Sequence, residues 1–319
     1  MNIFKDFTNP PLILAPMAGM ADNAFRILCK NHGADIVYSE MISAKAVYYN
    51  DAKTFQLASF DSKETPLILQ IFGSEPEILA YAAKKLFSLS HPCGIDINMG
   101  CPVHKIVSNG EGCALMKNPA LVYEIVSRVR EVLPPDIPVS VKIRKGIDSR
   151  TENFVQVALS AQKGGADFIA LHGRTREQMY SGKADYDAIK QLKDTLKIKV
   201  IGNGDVVCTE SYDNLVKTGC DGVMIGRGSF GNPFIFENIK RHRQNLPPLT
   251  PSVQEIKETI FNHIELALKY KSETVALRET RKHISCYLKG FHGSASLRNL
   301  VNRAETKKEL YEIINSVKD

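Results

Sequence analysis

No apolar run in this sequence reaches the ~20 residues that a membrane-crossing helix needs, which excludes a helical membrane protein. The start of the chain lacks the apolar core of a signal peptide. Its seven cysteines show no C-x-x-C spacing. That excludes a disulfide framework and points to a reducing compartment, so a cytoplasmic protein is expected. His91, Cys93, Cys101, His104 and Cys113 lie close together in the sequence. Without a C-x-x-C pair they lack a zinc or iron–sulfur pattern, and no metal is expected. Low-complexity tracts are absent too. An excess of charge of one sign is nearly absent: the net charge is +6, compatible with a polyanionic partner but not requiring one.

What is present is a soluble globular composition, 44% hydrophobic and 24% charged over 319 residues, enough for one large domain and a small appendage. Short apolar runs alternate with longer amphipathic ones. Strands are expected at 12–15, 36–39, 67–72, 95–98, 139–143, 168–172, 199–202 and 222–226. Helices are expected at 22–31, 43–49, 75–89, 119–133, 152–163, 186–196, 209–218 and 233–242, with Ser74 capping the third. Eight strand–helix units in about 240 residues predict an α/β fold, a closed (β/α)₈ TIM barrel, over residues 1–245. A doubly wound open sheet is the other reading. After Pro247-Pro248 the strands stop. Residues 246–319 read as a small all-helical domain, with helices at 252–271, 273–289 and 305–317.

The stretch Asp96-Ile97-Asn98-Met99-Gly100-Cys101-Pro102 ends a buried strand and presents a thiol on a turn. A free cysteine is also ordinary core material. A barrel places its active site at the C-terminal ends of its strands. Those ends carry Pro16-Met17-Ala18, Glu40, Gln70, Asn98 with Cys101, Lys142, His172, Asn203-Gly204-Asp205 and Gly226-Arg227. An inert barrel has no use for so many polar groups on one rim. The glycine turns after the last two strands suit an anion held on backbone N–H groups, with Arg227 pairing its charge. Tight turns require glycine for their own reasons as well. Residues 247–319 hold twelve Lys/Arg against nine Asp/Glu, and Arg278, Arg281 and Lys282 share a helical face. They form either a solvated surface or a phosphate-binding one.

At these residues the sequence resembles the tRNA-dihydrouridine synthases, and most closely the bacterial B-type branch. The matching pieces are Ala15-Pro16-Met17-Ala18-Gly19, Ser39-Glu40-Met41, Gln70-Ile71-Phe72-Gly73 and the Asn98-to-Pro102 element. They continue with Val141-Lys142-Ile143-Arg144, His172-Gly173-Arg174-Thr175, Gly202-Asn203-Gly204-Asp205, Gly222 to Gly228 and Arg281-Lys282-His283. The resemblance implies an FMN enzyme, monomeric, that reduces particular uridines of tRNA to 5,6-dihydrouridine with NADPH. It implies flavin contacts at Pro16, Met17, Ala18, Gln70, Lys142 and His172, and phosphate contacts at Asn203, Gly204, Asp205, Gly226 and Arg227. Asn98 and Arg174 are implied at the substrate, and Arg281 and Lys282 at the tRNA. Hydride goes to uracil C6, and Cys101 gives a proton to C5 as a neutral thiol. Two departures stand out: Gly110-Glu111-Gly112-Cys113-Ala114 replaces the usual Gly-Ala-Gly-Ser-Ala, and Cys286 stands where an aromatic is usual. A dihydroorotate-dehydrogenase-like barrel and an RNA-binding module without turnover are the competing readings. The first would not need the basic helical segment, and the second would not hold a reducible flavin.

Overall fold

The computed structural model describes residues 3–5 and 7–318. Residues 1, 2, 6 and 319, which the expected domain limits include, lie outside the description. Apolar runs without polar alternation form eight strands: β1 (Leu12–Leu14), β2 (Ile36–Ser43), β3 (Leu67–Phe72), β4 (Gly94–Met99), β5 (Val139–Arg144), β6 (Phe168–His172), β7 (Lys199–Asn203) and β8 (Gly222–Ile225). Each pairs in parallel with the next. β8 returns to β1 through Leu12–Val223, closing the barrel and excluding the open sheet.

The helices are α1 (Asn23–Asn31), α2 (Ala44–Tyr48), α3 (Ala52–Ala58), α4 (Pro76–Ser90), α5 (His104–Val107), α6 (Pro119–Val132) and α7 (Phe154–Lys163). They continue as α8 (Tyr186–Thr195), α9 (Thr209–Val216), α10 (Ile235–Arg243), α11 (Val253–Tyr270), α12 (Glu273–Tyr287), α13 (Ser294–Arg303) and α14 (Lys307–Asn315).

Three expectations are corrected. β2 does not stop at Ser39, because a bulge between Tyr38 and Met41 lets the strand re-pair with β3 beyond Glu40. At the bulge the Ser39 hydroxyl accepts the Gln70 N–H, at 3.0 Å. α4 is not capped by Ser74: Glu75 is its N-cap and offers no side-chain bond, while Pro76 fills the first helical position. α13 adds a helix where none is expected from the sequence; Leu297 and Val301 pack it on the core.

Side chains alternate along each strand. Leu12, Leu14, Val37, Leu67 and Ile95 point outward into the layer shared with the helices. Ile13, Ile36, Tyr38, Ile68, Phe168, Ala170, Ile201 and Met224 fill the barrel interior. The last helices lie against the barrel's first helix. Ala24, Ala267 and Ala276 meet where α1, α11 and α12 approach one another. Gly231 presses so closely on α12 that a Cβ there would stand 2.4 Å from the Cys286 carbonyl carbon.

Candidate active site

The period of two decides which groups reach the mouth. Two residues beyond interior Ile68, Ala170 and Ile201 come Gln70, His172 and Asn203. They border one cavity of about 1030 Å³ at the C-terminal ends of the strands. Asn98, Lys142 and Cys101 join them from β4, β5 and the turn after β4. Pro16, Met17 and Ala18 contribute a backbone wall after β1. Gly204, Asp205, Gly226 and Arg227 close the far side after β7 and β8. The outer wall is not barrel at all: Ser285, Cys286, Lys289 and Arg298 come from α12, the turn beyond it and α13.

On the β3–β4 side a buried chain of amides sets the thiol. The Gln70 amide donates to Asp96 Oδ2 at 2.7 Å, and its carbonyl accepts from Asn98 Nδ2 at 2.8 Å. Asn98 Oδ1 then accepts the N–H groups of Gly100 at 3.1 Å and Cys101 at 2.9 Å. Every hydrogen-bonding edge of Asn98 that this network uses is thus committed to placing the Cys101 turn. Asp96 also accepts from Ser140 at 2.5 Å. Burial pushes the Asp96 carboxyl up to about 6, against the Ser140 and Gln70 bonds that favour its charge. Burial likewise raises the Cys101 thiol above its ordinary 9.0, which the Val103 N–H and the Arg144 charge only partly offset. At neutral pH Cys101 is therefore a protonated acid rather than a thiolate nucleophile.

The adjoining β5–β6 side is cationic. Burial, then the nearby Arg144 guanidinium, lower the Lys142 ammonium to about 8. It keeps its charge at pH 7, but weakly. Burial and the same cations hold His172 far below the usual imidazole range, so the ring is neutral. Arg174 can only donate, and its Nη1 lies 3.3 Å from His172 Nε2. That makes Nε2 the acceptor and puts the ring proton on Nδ1. Arg144 donates to Gly100 O at 3.0 Å, Thr175 O at 2.9 Å and Met179 O at 2.8 Å, tying the Cys101 turn to the loop after β6. Tyr180 lies beneath Arg227, whose guanidinium stands 4.7 Å from the ring centre.

The sequence picks out three site residues that the structure places elsewhere. Arg174 is 1% exposed and does not border the cavity. It donates to Ser181 O, Gly182 O and Asp205 Oδ2 at 3.0, 2.5 and 2.7 Å. It orients His172 and the loop rather than reaching a substrate. Arg281 turns inward and holds Asn302 O at 3.1 Å and Ala304 O, closing the C-terminal end of α13. Lys282 donates to Gly19 O in the loop after β1. Arg281 is half-buried on these carbonyls, while Lys282 stays exposed beside its Gly19 contact. Asp205, expected at the cofactor phosphate, spends its carboxylate on Arg174, the Ala184 N–H at 2.7 Å and Arg227, so only its backbone is available to an anion.

Asp96, Arg144 and Tyr180 carry the site without having been singled out. Asp96 and Arg144 lie two residues before Asn98 and two after Lys142, so the strand alternation held that signal. Tyr180 sits in an irregular loop and left none. Away from the mouth, Asp22, His263 and His283 bring three ligand-type atoms within 4.8 Å of one another. The Lys271 ammonium already sits on that carboxylate.

Comparison with known proteins narrows the chemistry. The crystal structure of TcOYE with pHBA superposes at TM-score 0.56, 13% identity, over 77% of this chain and 91% of that one; the likeness is one of fold. The tRNA-dihydrouridine synthase B of Xanthomonas campestris pv. campestris is 39% identical over 302 residues, 93% of this chain and 89% of its own. The same-named protein of Shewanella oneidensis is 38% identical over 306 residues, 95% and 94% of the two chains. The family model described as dihydrouridine synthase (Dus) matches residues 13–319. With a thiol, a cationic rim and a mouth at the strand ends already in place, the conclusion is direct: this chain belongs to the dihydrouridine synthase family.

Proposed function

We propose that this protein reduces selected uridines of tRNA to 5,6-dihydrouridine, using FMN held in the barrel mouth and NADPH as the electron source. The observation that carries the reading is that a protonated thiol, Cys101, borders one cavity together with Lys142, His172 and Arg227.

The residues present fit a flavin mononucleotide. Gln70 offers an amide, Lys142 an ammonium and His172 a neutral ring to the polar edge of an isoalloxazine. Pro16, Met17 and Ala18 supply a largely apolar wall. The glycine turn at Gly204, with φ +131, and the Gly226-Arg227 turn suit the phosphate. Bound flavin would supply the hydride that reduces C6 of the pyrimidine. The chain's own residues do the rest. Lys142 holds positive charge where a reduced, anionic ring would need it. Asn98 and Gln70 fix the turn that carries Cys101, and the thiol then gives its proton to C5. A uracil inside a folded RNA is stacked, so it must be turned out to reach this mouth. Lys289 and Arg298, on the outer wall, are placed to meet the phosphates beside such a base. Residues 246–319 are accordingly read as the RNA-facing part and the preceding barrel as the catalytic part. On this reading the protein is a monomer working on tRNA in the cytoplasm.

The test is to map dihydrouridine in tRNA from cells lacking the protein and from the same cells after it is restored. Loss and return at defined positions are expected. An unchanged dihydrouridine pattern would reject the activity.

A further inference from the structure

We propose that Lys282 and Glu40 are positioning residues of the redox centre, gripping Gly19 from opposite sides so that Pro16, Met17 and Ala18 stay against the flavin. The inference rests on the flavin reading above and concerns a contact that the family likeness does not address.

The loop between β1 and α1 turns sharply. Met20 and Ala21 both donate their N–H groups to Met17 O, at 3.0 and 2.9 Å. Its far end is fixed: Asp22 caps α1 through the Phe25 N–H at 3.0 Å, and Arg26 donates to Ala21 O at 2.6 Å. The apex is Gly19, in the left-handed region at φ +72. It has no side chain with which to hold itself. Two charged groups from other elements hold it instead. Its N–H donates to Glu40 Oε1, from the bulge of β2, and its carbonyl accepts from Lys282 Nζ, on α12. A Cβ at this position would stand 3.1 Å from that ammonium, so glycine is what allows the approach.

Both bonds are charge-assisted, and they load opposite ends of one residue. Immediately before the apex come the three residues that wall the cavity. Three and four residues beyond Lys282 on α12 stand Ser285 and Cys286, which wall the same cavity from outside. One helix therefore sets both the entrance and the floor loop. The C-terminal helices are then part of the redox centre, and their influence on the flavin does not require RNA.

The test uses the full chain with Lys282→Met, Lys282→Arg and Glu40→Gln. Amide exchange is followed at residues 17–21 with and without flavin. Flavin absorption, the rate of flavin reduction by NADPH without tRNA, and the salt dependence of tRNA binding are also recorded. Lys282→Met is expected to speed exchange at the loop roughly tenfold, as losing one charge-assisted bond implies. It should also shift the flavin band and slow reduction without changing the salt slope. Lys282→Arg is expected to restore all three, and Glu40→Gln to reproduce the loosening in part. Should Lys282→Met fail to fold, Glu40→Gln, equal in length and lacking only the charge, decides by the same comparison. Wild-type exchange and spectrum in Lys282→Met, with a shallower salt slope, would overturn the proposal and return Lys282 to the RNA surface. A wild-type protein that takes up no flavin would reject the flavin reading, and loop exchange alone would then decide this inference.

Discussion

Cys101 shows how a residue's chemistry is set by what surrounds it. Its thiol is raised by burial, and its turn is hung from Asn98. A general acid of this kind accelerates proton delivery by roughly 10²–10⁴-fold. Cys101→Ala is therefore expected to keep flavin and tRNA affinity while dihydrouridine formation falls by about that factor, measured in single turnover. Lys142 gives a second prediction. Its cation is present below about 8 and lost above it. Any step that builds negative charge beside it should slow as pH rises through that value, while the raised Cys101 thiol is still protonated. Lys142→Met should remove this alkaline limb from the pH profile of flavin reduction.

At the scale of elements, the barrel was legible and its decorations were not. Eight apolar runs at regular spacing imposed the closed sheet, and period-two alternation carried Gln70, Lys142, His172 and Asn203 to one rim. Sequence spacing also put Arg278, Arg281 and Lys282 on one helical face. It could not tell that Arg281 would be used to close α13, because its acceptors at Asn302 and Ala304 are more than twenty residues away. α13 itself is short, ten residues, and follows Gly290 and Gly293, which read as a break in the helical pattern. Two predictions follow from this correction. Arg281→Ala should cost about 1 kcal/mol of stability in denaturant titration, by removing the bonds to the exposed Asn302 and part-buried Ala304 carbonyls. It should leave the salt slope of tRNA binding intact. Lys289→Ala and Arg298→Ala should each lower that slope by about one.

At the scale of the whole molecule, α1, α11 and α12 enclose a cluster of buried titratable groups, Asp22, His263 and His283. Burial lowers His263 to about 4 from 6.5, the nearby Asp22 charge offsetting only part of this, and His283 is pushed down in the same way. For a base held neutral in the fold, the stabilisation is complete above pH 6.5. As the pH falls below that, the unfolded chain takes up the proton first and stability is lost toward pH 4. For His263 alone the loss approaches about 3 kcal/mol. Melting temperature should therefore drop as pH is lowered from 7 to 4.5, and His263→Gln should flatten that dependence.

The central claim is that a thiol and a reduced flavin face each other across a uracil. It is tested most directly by anaerobic single turnover. Enzyme whose flavin has been chemically reduced is mixed with unmodified tRNA, and flavin reoxidation and dihydrouridine are followed together. The account predicts matched flavin oxidation and uridine reduction in the wild type. Cys101→Ala should bind the RNA but react at least a hundredfold more slowly. Wild-type rates in Cys101→Ala would contradict it.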